Sequence, residues 1–360
     1  MAPRVTVCVP AFNGARWLAE CLRSAQAQTF LDFELLVVDD ASTDATLSIA
    51  REFARHDRRF RVESNKARLG LVGNWNRCSR LARGRWLKFL FQDDLLAPDC
   101  LSRMLTAAGP RDSVVACRRR IRLEQGVSAS LKNLYRKHLS EHSLSKRFPG
   151  KTRISPESFA ALLLRFPGFN CVGEPSAVMI RAGALLRHGL FNPDLAMLCD
   201  WELVARLAVH SGLRYLDAPL AVFRVHPGAE SAENRRRPYR AEVIDELLIR
   251  HDLAYAPVYA PVRRLAARLR PPADLENSLA AAVRVARGEA RRFASDSRRP
   301  DPGAPAAFRW ALDSRPKLGE LLRRPPGPRV PAADPRRIAA IKLLAELNAD
   351  RLPAGAGIWT

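Results

Sequence analysis

The sequence has no uninterrupted apolar run of about 18 residues, so no membrane-spanning helix is expected. Its seven cysteines are an odd number, lie scattered, and form no C-x-x-C pair, which argues against a disulfide framework and against a zinc cage. The opening Met1-Ala2-Pro3-Arg4 leads at once into a strand-like run, without the long apolar segment of a secretory signal. A cytosolic chain with reduced thiols is therefore expected. Acidic residues are scarce beside basic ones, 37 Asp and Glu against 59 Lys and Arg, for a net charge of +22 at pH 7. That excess points to an anionic partner: nucleic acid, acidic phospholipid or a phosphorylated small molecule. The basic clusters at 118–120, 235–237 and 291–292 lack interleaved aromatics, which disfavours nucleic acid. A solvated Arg-rich face is the plain reading of them. Docking on an anionic membrane surface is the functional one. No internal repeat is present. What the chain does have is length and apolar content: 360 residues suit about two domains, and 47% hydrophobic residues suffice for a sizeable core.

The first hundred residues alternate between two periods. Val5-Thr6-Val7-Cys8-Val9 is a short β-rich run ended by Pro10, and residues 15–28 carry Trp17, Leu18, Cys21, Leu22 and Ala25 at helical spacing. Residues 33–38 form a second strand, apolar on both faces near its end as buried parallel strands are. Ser42 and Thr43 offer N-cap hydroxyls to a helix reaching His56. A strand at 60–63, a helix at 73–82 and a strand at 86–91 follow, and Pro98 is placed for the first turn of the next helix. This alternation predicts right-handed βαβ units and a largely parallel sheet. Residues 118–165 are basic and weakly periodic and read as an insertion or mobile segment. Order returns with a strand at 175–180, a helix at 201–210 and a strand at 213–223. Residues 296–337, rich in Pro and Arg, read as linker between helical patches at 275–293 and 337–347.

Two acidic pairs stand where loops leave strand ends. In open α/β sheets ligands lie beyond the carboxyl ends of the strands. Asp39-Asp40 ends the second strand, and Asp93-Asp94 follows the fourth. Adjacent carboxylates repel unless a cation or proton intervenes, so such a pair turned into a cleft suits Mg²⁺ or Mn²⁺. Either pair also reads as a helix cap or turn.

With those residues in view, positions 5–105 resemble the nucleotide-binding half of family 2 glycosyltransferases with the GT-A fold. The matching pieces are Val9-Pro10-Ala11-Phe12-Asn13, Val37-Val38-Asp39-Asp40-Ala41-Ser42-Thr43-Asp44, then Asn65, Leu69-Gly70 and Asn74, and Phe91-Gln92-Asp93-Asp94 with Pro98. The likeness runs to about residue 231 through Gly173-Glu174-Pro175-Ser176, Asp200-Trp201-Glu202 and Arg224-Val225-His226. It implies an α/β fold of GT-A type, a Rossmann-like, mostly parallel sheet flanked by helices, with a mainly helical C-terminal extension. The implied domain is 1–235, with a nucleotide-binding half at 1–110 and an acceptor half at 111–235, followed by the Arg/Ala/Pro-rich extension 236–360.

The resemblance also implies roles. Pro10, Ala11, Phe12, Asn13 and Asp39 would hold the base and ribose of a nucleotide-sugar, with Asn65, Gly70, Asn74, Gln92, Asp93 and Arg224 completing the nucleotide site. Asp93 matches the metal-binding member of the family's D-x-D motif, with Asp94 beside it and His226 as a further ligand for Mg²⁺ or Mn²⁺. The first Asp of that motif is here Phe91. Asp200 matches the catalytic base, within a Glu-Asp pair whose first member is Cys199. Asp39, Asp93 and Asp200 are expected in one cleft. The expected reaction is an inverting, metal-assisted transfer of a sugar to a glycan or lipid-linked hydroxyl, in the cytoplasm with peripheral contact on the inner face of the membrane. A nucleotide-binding scaffold with a decayed metal site is the alternative, favoured by Phe91 and Cys199. A sugar-phosphate nucleotidyltransferase would need a Gly-rich turn after the first strand, and 10–16 hold one glycine. Bland readings stay open beside these: Asp200 as the N-cap of its helix, Trp201 as packing, His226 as a loop residue, Asn65 and Asn74 as turn and cap residues.

Overall fold

Strand β1 (Val5–Ala11) is buried along its whole length, which places it inside the sheet rather than at an edge. It runs parallel to β2 (Phe33–Asp39) on one side and to β4 (Trp86–Phe89) on the other, and β3 (Phe60–Ser64) lies parallel beyond β2. The crossovers are α1 (Ala15–Gln26), α2 (Thr46–His56) and α3 (Gly70–Leu81). Each turns its apolar stripe onto the sheet; α1 buries Leu18, Cys21, Leu22 and Ala25. The sequence continues through β5 (Leu95–Leu96), α4 (Cys100–Ala107), β6 (Val114–Leu123), α5 (Leu144–Arg147), β7 (Arg153–Ile154), α6 (Pro156–Arg165), β8 (Val178–Arg181), α7 (Ala182–His188), α8 (Cys199–Ser211) and β9 (Leu213–Val225), and then through α9 (Asp245–Tyr255), α10 (Ala260–Arg268), α11 (Leu275–Ser295), α12 (Ala304–Ser314) and α13 (Pro316–Arg323). Among the described residues, nine strands pair in the order β3-β2-β1-β4-β8-β6-β9-β5, with β7 on β9. β8 is antiparallel to both β4 and β6, so the parallel half ends at β4. This is an α/β architecture with a parallel half flanked by helices, as expected from the sequence.

The structure is a computed structural model that describes residues 2–129, 132, 133, 135, 143–228, 239–269, 272–295 and 301–324. The chain divides into two compact units. One comprises Met1–Ile154, Cys171–Pro193 and Ser211–His226 and carries the sheet. The other comprises Ser155–Asn170, Asp194–His210 and the chain from Pro227 onward; its described part is helical. The boundary expected at residue 235, the basic cluster at 235–237 and the helical patch at 337–347 lie outside the described residues. Among the described residues, no helix is long and apolar enough to cross a membrane. All seven cysteines are buried and free.

Three expectations are corrected. The stretch 118–165 is not a featureless insertion. β6 runs to Leu123, with Arg118, Arg120 and Arg122 on its exposed face, and solvent-facing arginines at alternate positions hide a strand from hydropathy. Helix α6 (Pro156–Arg165) closes the same stretch, capped by Ser155 Oγ, which accepts the Ser158 N–H at 3.2 Å. The region read as linker holds α12 (Ala304–Ser314) and α13 (Pro316–Arg323). Each carries proline in its first turn, where proline starts a helix rather than breaks one. Finally, Ser42 and Thr43 do not cap α2, whose N-cap is Ala45. Ser42 Oγ instead accepts the Asn13 N–H at 3.0 Å, while Asp44 Oδ1 accepts the Thr46 N–H at 2.9 Å. Smaller shifts are of register: Pro175–Ala177 is a 3-10 turn before β8, and α4 starts at Cys100, two residues past Pro98.

Candidate active site

The loops that leave β1 and β2 contain Asn13 (φ 46°) and Ala41 (φ 59°), the non-glycine residues in the left-handed region among the described residues. Such strain persists only where surroundings enforce it, and here they do. The Asp40 N–H donates to the Ala11 carbonyl (2.8 Å), Asn13 Oδ1 accepts the Thr43 N–H (2.9 Å), and Gly14 N–H donates to Thr46 Oγ1 (2.8 Å). Gln92 grips Phe12 from the β4 side: its Oε1 accepts the Phe12 N–H at 2.8 Å and its Nε2 donates to the Phe12 carbonyl at 3.0 Å. A Cβ on Gly14 would lie 2.1 Å from that Oε1, so any side chain there would displace the Gln92 amide, although φ, at −106°, would admit one. Gln92 therefore holds the β1 turn through its backbone, and Pro10, Ala11, Phe12 and Asn13 form one rigid edge. Arg68, unremarked in the sequence between Asn65 and Gly70, lies over the Phe12 ring at 4.0 Å.

The two aspartates at the end of β2 do different work. Asp40 is buried and binds inward: Oδ1 accepts from Asn65 Nδ2 (2.6 Å) and the Leu69 N–H (2.7 Å), and Oδ2 from the Gly70 N–H (2.9 Å). Asn65 Nδ2 also donates to Asn74 Oδ1 (3.1 Å), and Asn74 Nδ2 to the Val38 carbonyl (2.9 Å). Asn65, Gly70 and Asn74 thus tie the start of α3 to the end of β2. Asp39 is the other case. Its Oδ2 accepts from the Ser42 N–H (3.2 Å) and Ser64 Oγ (3.4 Å), while Oδ1 is buried without a hydrogen-bond partner among the described residues. A buried carboxylate oxygen left unpaired costs roughly 1–3 kcal/mol, which a ligand N–H or O–H would recover.

Beyond β4, Asp93 Oδ2 lies 3.0 Å from His226 Nε2, and the His226 ring packs beside Trp17 with centroids 5.3 Å apart. Asp94 faces the other way and is fully buried, its Oδ1 accepting the Arg224 N–H at 3.0 Å. Burial first, and then the Asp93 charge, raise its carboxyl well above the usual range. Arg224, 1% exposed, donates to the Asp93 carbonyl (2.7 Å), Glu124 (2.7 Å) and Glu20 (2.6 Å) and stacks over Trp17 at 4.3 Å. It fastens the Asp93 loop to β9. Ser176 Oγ accepts the Phe91 N–H at 3.0 Å, a further clamp that the sequence motif alone did not single out. Among the described residues, no group of three or more His, Cys, Asp and Glu side chains is arranged to hold a metal ion. The available donors are two, Asp93 and His226. That number fits an ion which takes its remaining oxygens from substrate phosphates and water, as Mg²⁺ and related ions commonly do.

Asp200 belongs to the helical unit, in the first turn of α8 (Cys199–Ser211). Its Oδ1 accepts the Trp201 N–H at 2.6 Å and its Oδ2 accepts from Asn170 Nδ2 at 3.4 Å. Trp201 is a packing residue, 1% exposed, with Nε1 donating to the Pro167 carbonyl at 2.8 Å. Glu202 is buried against Arg206 (2.8 Å) and Tyr259 (2.6 Å). The sheet unit carries Asp39 at the end of β2 and pairs Asp93 with His226 beyond β4 and β9; Asp200 stands in the other unit.

Residues 6–182 match the profile of Glycosyl transferase family 2. An uncharacterized protein of Mycobacterium tuberculosis is 32% identical over 244 residues, which cover 68% of this chain and 73% of that protein. The chain belongs to glycosyl transferase family 2. Another relative of this family 2 chain is the chondroitin synthase of Escherichia coli, 39% identical over 105 residues; these span 29% of the chain and only 15% of that protein. Two solved glycosyltransferases share the fold. The mannosyltransferase PcManGT from Pyrobaculum calidifontis, in complex with GDP-Man and Mn²⁺, superposes with a TM-score of 0.53 at 21% identity, covering 94% of this chain and 86% of that one. TarS residues 1–349 of S. aureus, in complex with UDP-GlcNAc, gives 0.54 at 17% identity, over 86% and 91% of the two chains. Both are GT-A-type enzymes, so the family 2 assignment and the architecture agree.

Proposed function

We propose that this family 2 protein transfers a sugar from a nucleotide-sugar to a hydroxyl of a glycan or lipid-linked acceptor, with inversion at the anomeric carbon. The observation that carries the proposal is the Asp93–His226 pair, 3.0 Å apart on loops at the ends of β4 and β9, in the same unit as the unpaired Asp39 Oδ1. Asp39 would accept a hydrogen bond from the nucleoside, and the β1 edge held by Gln92 would carry base and ribose. Asp93 and His226 would hold Mn²⁺ or Mg²⁺. When bound, the ion supplies Lewis-acid stabilisation of the negative charge on the departing diphosphate. Asp200 would take the proton of the attacking hydroxyl, help of a kind worth about 10²–10⁴ in rate. A single displacement by one base inverts the centre. Both UDP- and GDP-linked donors fit this set of residues, since nothing in it reads one base against the other. The net charge of +22 suits a peripheral site on an anionic cytoplasmic membrane face, where a lipid-linked acceptor would lie.

The test is nucleotide release from a panel of UDP- and GDP-sugars, with and without Mn²⁺. Release should require the ion, and Asp93→Ala and Asp200→Asn should each lower it by at least about 10²-fold. Unchanged turnover in either variant would remove that residue's role. No release from any donor by folded wild-type protein would favour the decayed-scaffold reading that Phe91 and Cys199 suggest.

A further inference from the structure

The loop that launches α8 is gripped by a carboxylate from the C-terminal helices. Asp245 opens α9 (Asp245–Tyr255) and is fully buried. Its oxygens accept three consecutive backbone N–H groups, those of Ala196 (3.0 Å), Met197 (2.6 Å) and Leu198 (2.8 Å). Successive amides closed around one anion are a strong arrangement, because each bond has a charged acceptor and lies out of water. Arg240 adds a fourth bond, Nη1 to Asp245 Oδ1 at 2.8 Å, and its Nη2 donates to the Asp194 carbonyl. Its guanidinium lies over Trp310 of α12 at 4.5 Å, and Arg315 pairs with the Asp194 carboxylate at 2.9 Å. The extension therefore holds the backbone from Asp194 to Leu198 through Asp245 and Arg240, with Trp310 under the Arg240 guanidinium and Arg315 on the Asp194 carboxylate.

What that loop carries gives the grip its meaning. The Leu198 carbonyl accepts the Glu202 N–H at 2.8 Å, the bond that begins α8, and Asp200 follows two residues later. Asp200 Oδ1 is fixed by the next N–H of its own chain, at 2.6 Å, so the direction of its carboxylate follows the backbone of the first turn. Shifting residues 196–198 shifts the carboxylate with them. We infer that Asp245, braced by Arg240, is a positioning residue for Asp200, which gives the C-terminal helices a part in turnover. This rests on the assignment of Asp200 as the general base.

The test uses the full chain with Mn²⁺ and a nucleotide-sugar that wild-type protein turns over, reading nucleotide release, donor binding stoichiometry and melting temperature. Asp245→Asn keeps the shape and removes the charge. It should lower kcat by about 10²-fold, the effect of misplacing a catalytic group by an ångström, with KM and stoichiometry within about 2-fold of wild type. In an Asp200→Asn background the same substitution should lower the residual rate no further. A purely structural role would lower both backgrounds alike, and that result, or a wild-type kcat in folded Asp245→Asn, overturns the inference. If Asp245→Asn does not fold, Arg240→Gln carries the same comparison, with a fall of about tenfold expected in the wild-type background alone. Wild-type turnover by Asp200→Asn would instead remove the base assignment itself, a distinct failure.

Discussion

Gly14→Ala tests how the nucleotide edge is built. The backbone there has φ −106°, which alanine adopts freely, so the substitution adds a methyl group and no torsional strain. That methyl would stand 2.1 Å from Gln92 Oε1 and 2.4 Å from its Cδ, inside any real contact distance. The amide must swing away, and both of its bonds to Phe12, at 2.8 and 3.0 Å, are lost together. At about 1 kcal/mol each the loss is about 2 kcal/mol, or roughly 30-fold if it falls wholly on donor binding. The assay is calorimetric titration of UDP and GDP in the presence of Mn²⁺, with melting temperature recorded alongside. Gln92→Ala should weaken binding to a similar degree. Adding Gly14→Ala to Gln92→Ala should change nothing more, since the clash has lost its partner. Wild-type affinity in Gly14→Ala, or a full additional loss in the double variant, would refute the role given to Gln92.

Two further substitutions test the packing that supports the site. Arg224→Met removes the buried guanidinium shared by the half-buried Glu124 and the half-exposed Glu20, both of which keep Arg122 as a partner, and denaturant unfolding should show a loss of about 1–2 kcal/mol; a loss under about 0.5 kcal/mol would show that the Arg224 bonds contribute little. At the far edge of the sheet, the Arg59 guanidinium beside Asp57 is the main cause that holds the Asp57 carboxyl down to about 2. A depressed carboxyl contributes stability above its unfolded value of about 3.9 and loses it as pH falls through the folded value. Asp57→Asn should therefore cost about 2 kcal/mol at pH 7 and progressively less from about pH 4 toward pH 2, and a penalty independent of pH would contradict the pairing.

The parallel half of the fold was legible because its strands are buried on both faces and its helices carry a clean stripe; β1, β2, α1 and α3 stand within a few residues of where periodicity puts them. What escaped has physical reasons. Ser42 is a good cap by type, yet its hydroxyl serves Asn13, 29 residues away, and a long-range partner leaves no local trace. Arg118, Arg120 and Arg122 give β6 the hydropathy of a loop although their alternation is that of a strand. In the site, Asp39 and Asp40 are the same residue type side by side, yet Asp39 closes β2 with an unpaired oxygen while Asp40, one residue past the strand, binds Asn65. Motif matching found the pair; only the coordinates divided the labour.

The loss of the first acidic residue from the metal motif is explained by the core beneath it. Phe91 stacks on Trp75 with centroids 4.7 Å apart and planes inclined by 28°, and Trp75 in turn meets Phe191 edge-on at 5.1 Å. A carboxylate at position 91 would abut this aromatic cluster, where its charge would go unpaired at a cost of several kcal/mol. The Phe91 backbone is meanwhile fully used, its N–H on Ser176 Oγ and its carbonyl accepting the Cys21 thiol at 3.2 Å. The position has thus been given over to packing, and on the proposed function the side chains left to hold an ion are Asp93 and His226. Two protein donors hold a hard divalent ion weakly by themselves, so on the proposed function the diphosphate must complete the coordination. Metal and donor would then bind together. The buried Arg224 fixes the Asp93 loop to β9, whose end carries His226, and so holds Asp93 and His226 side by side at 3.0 Å.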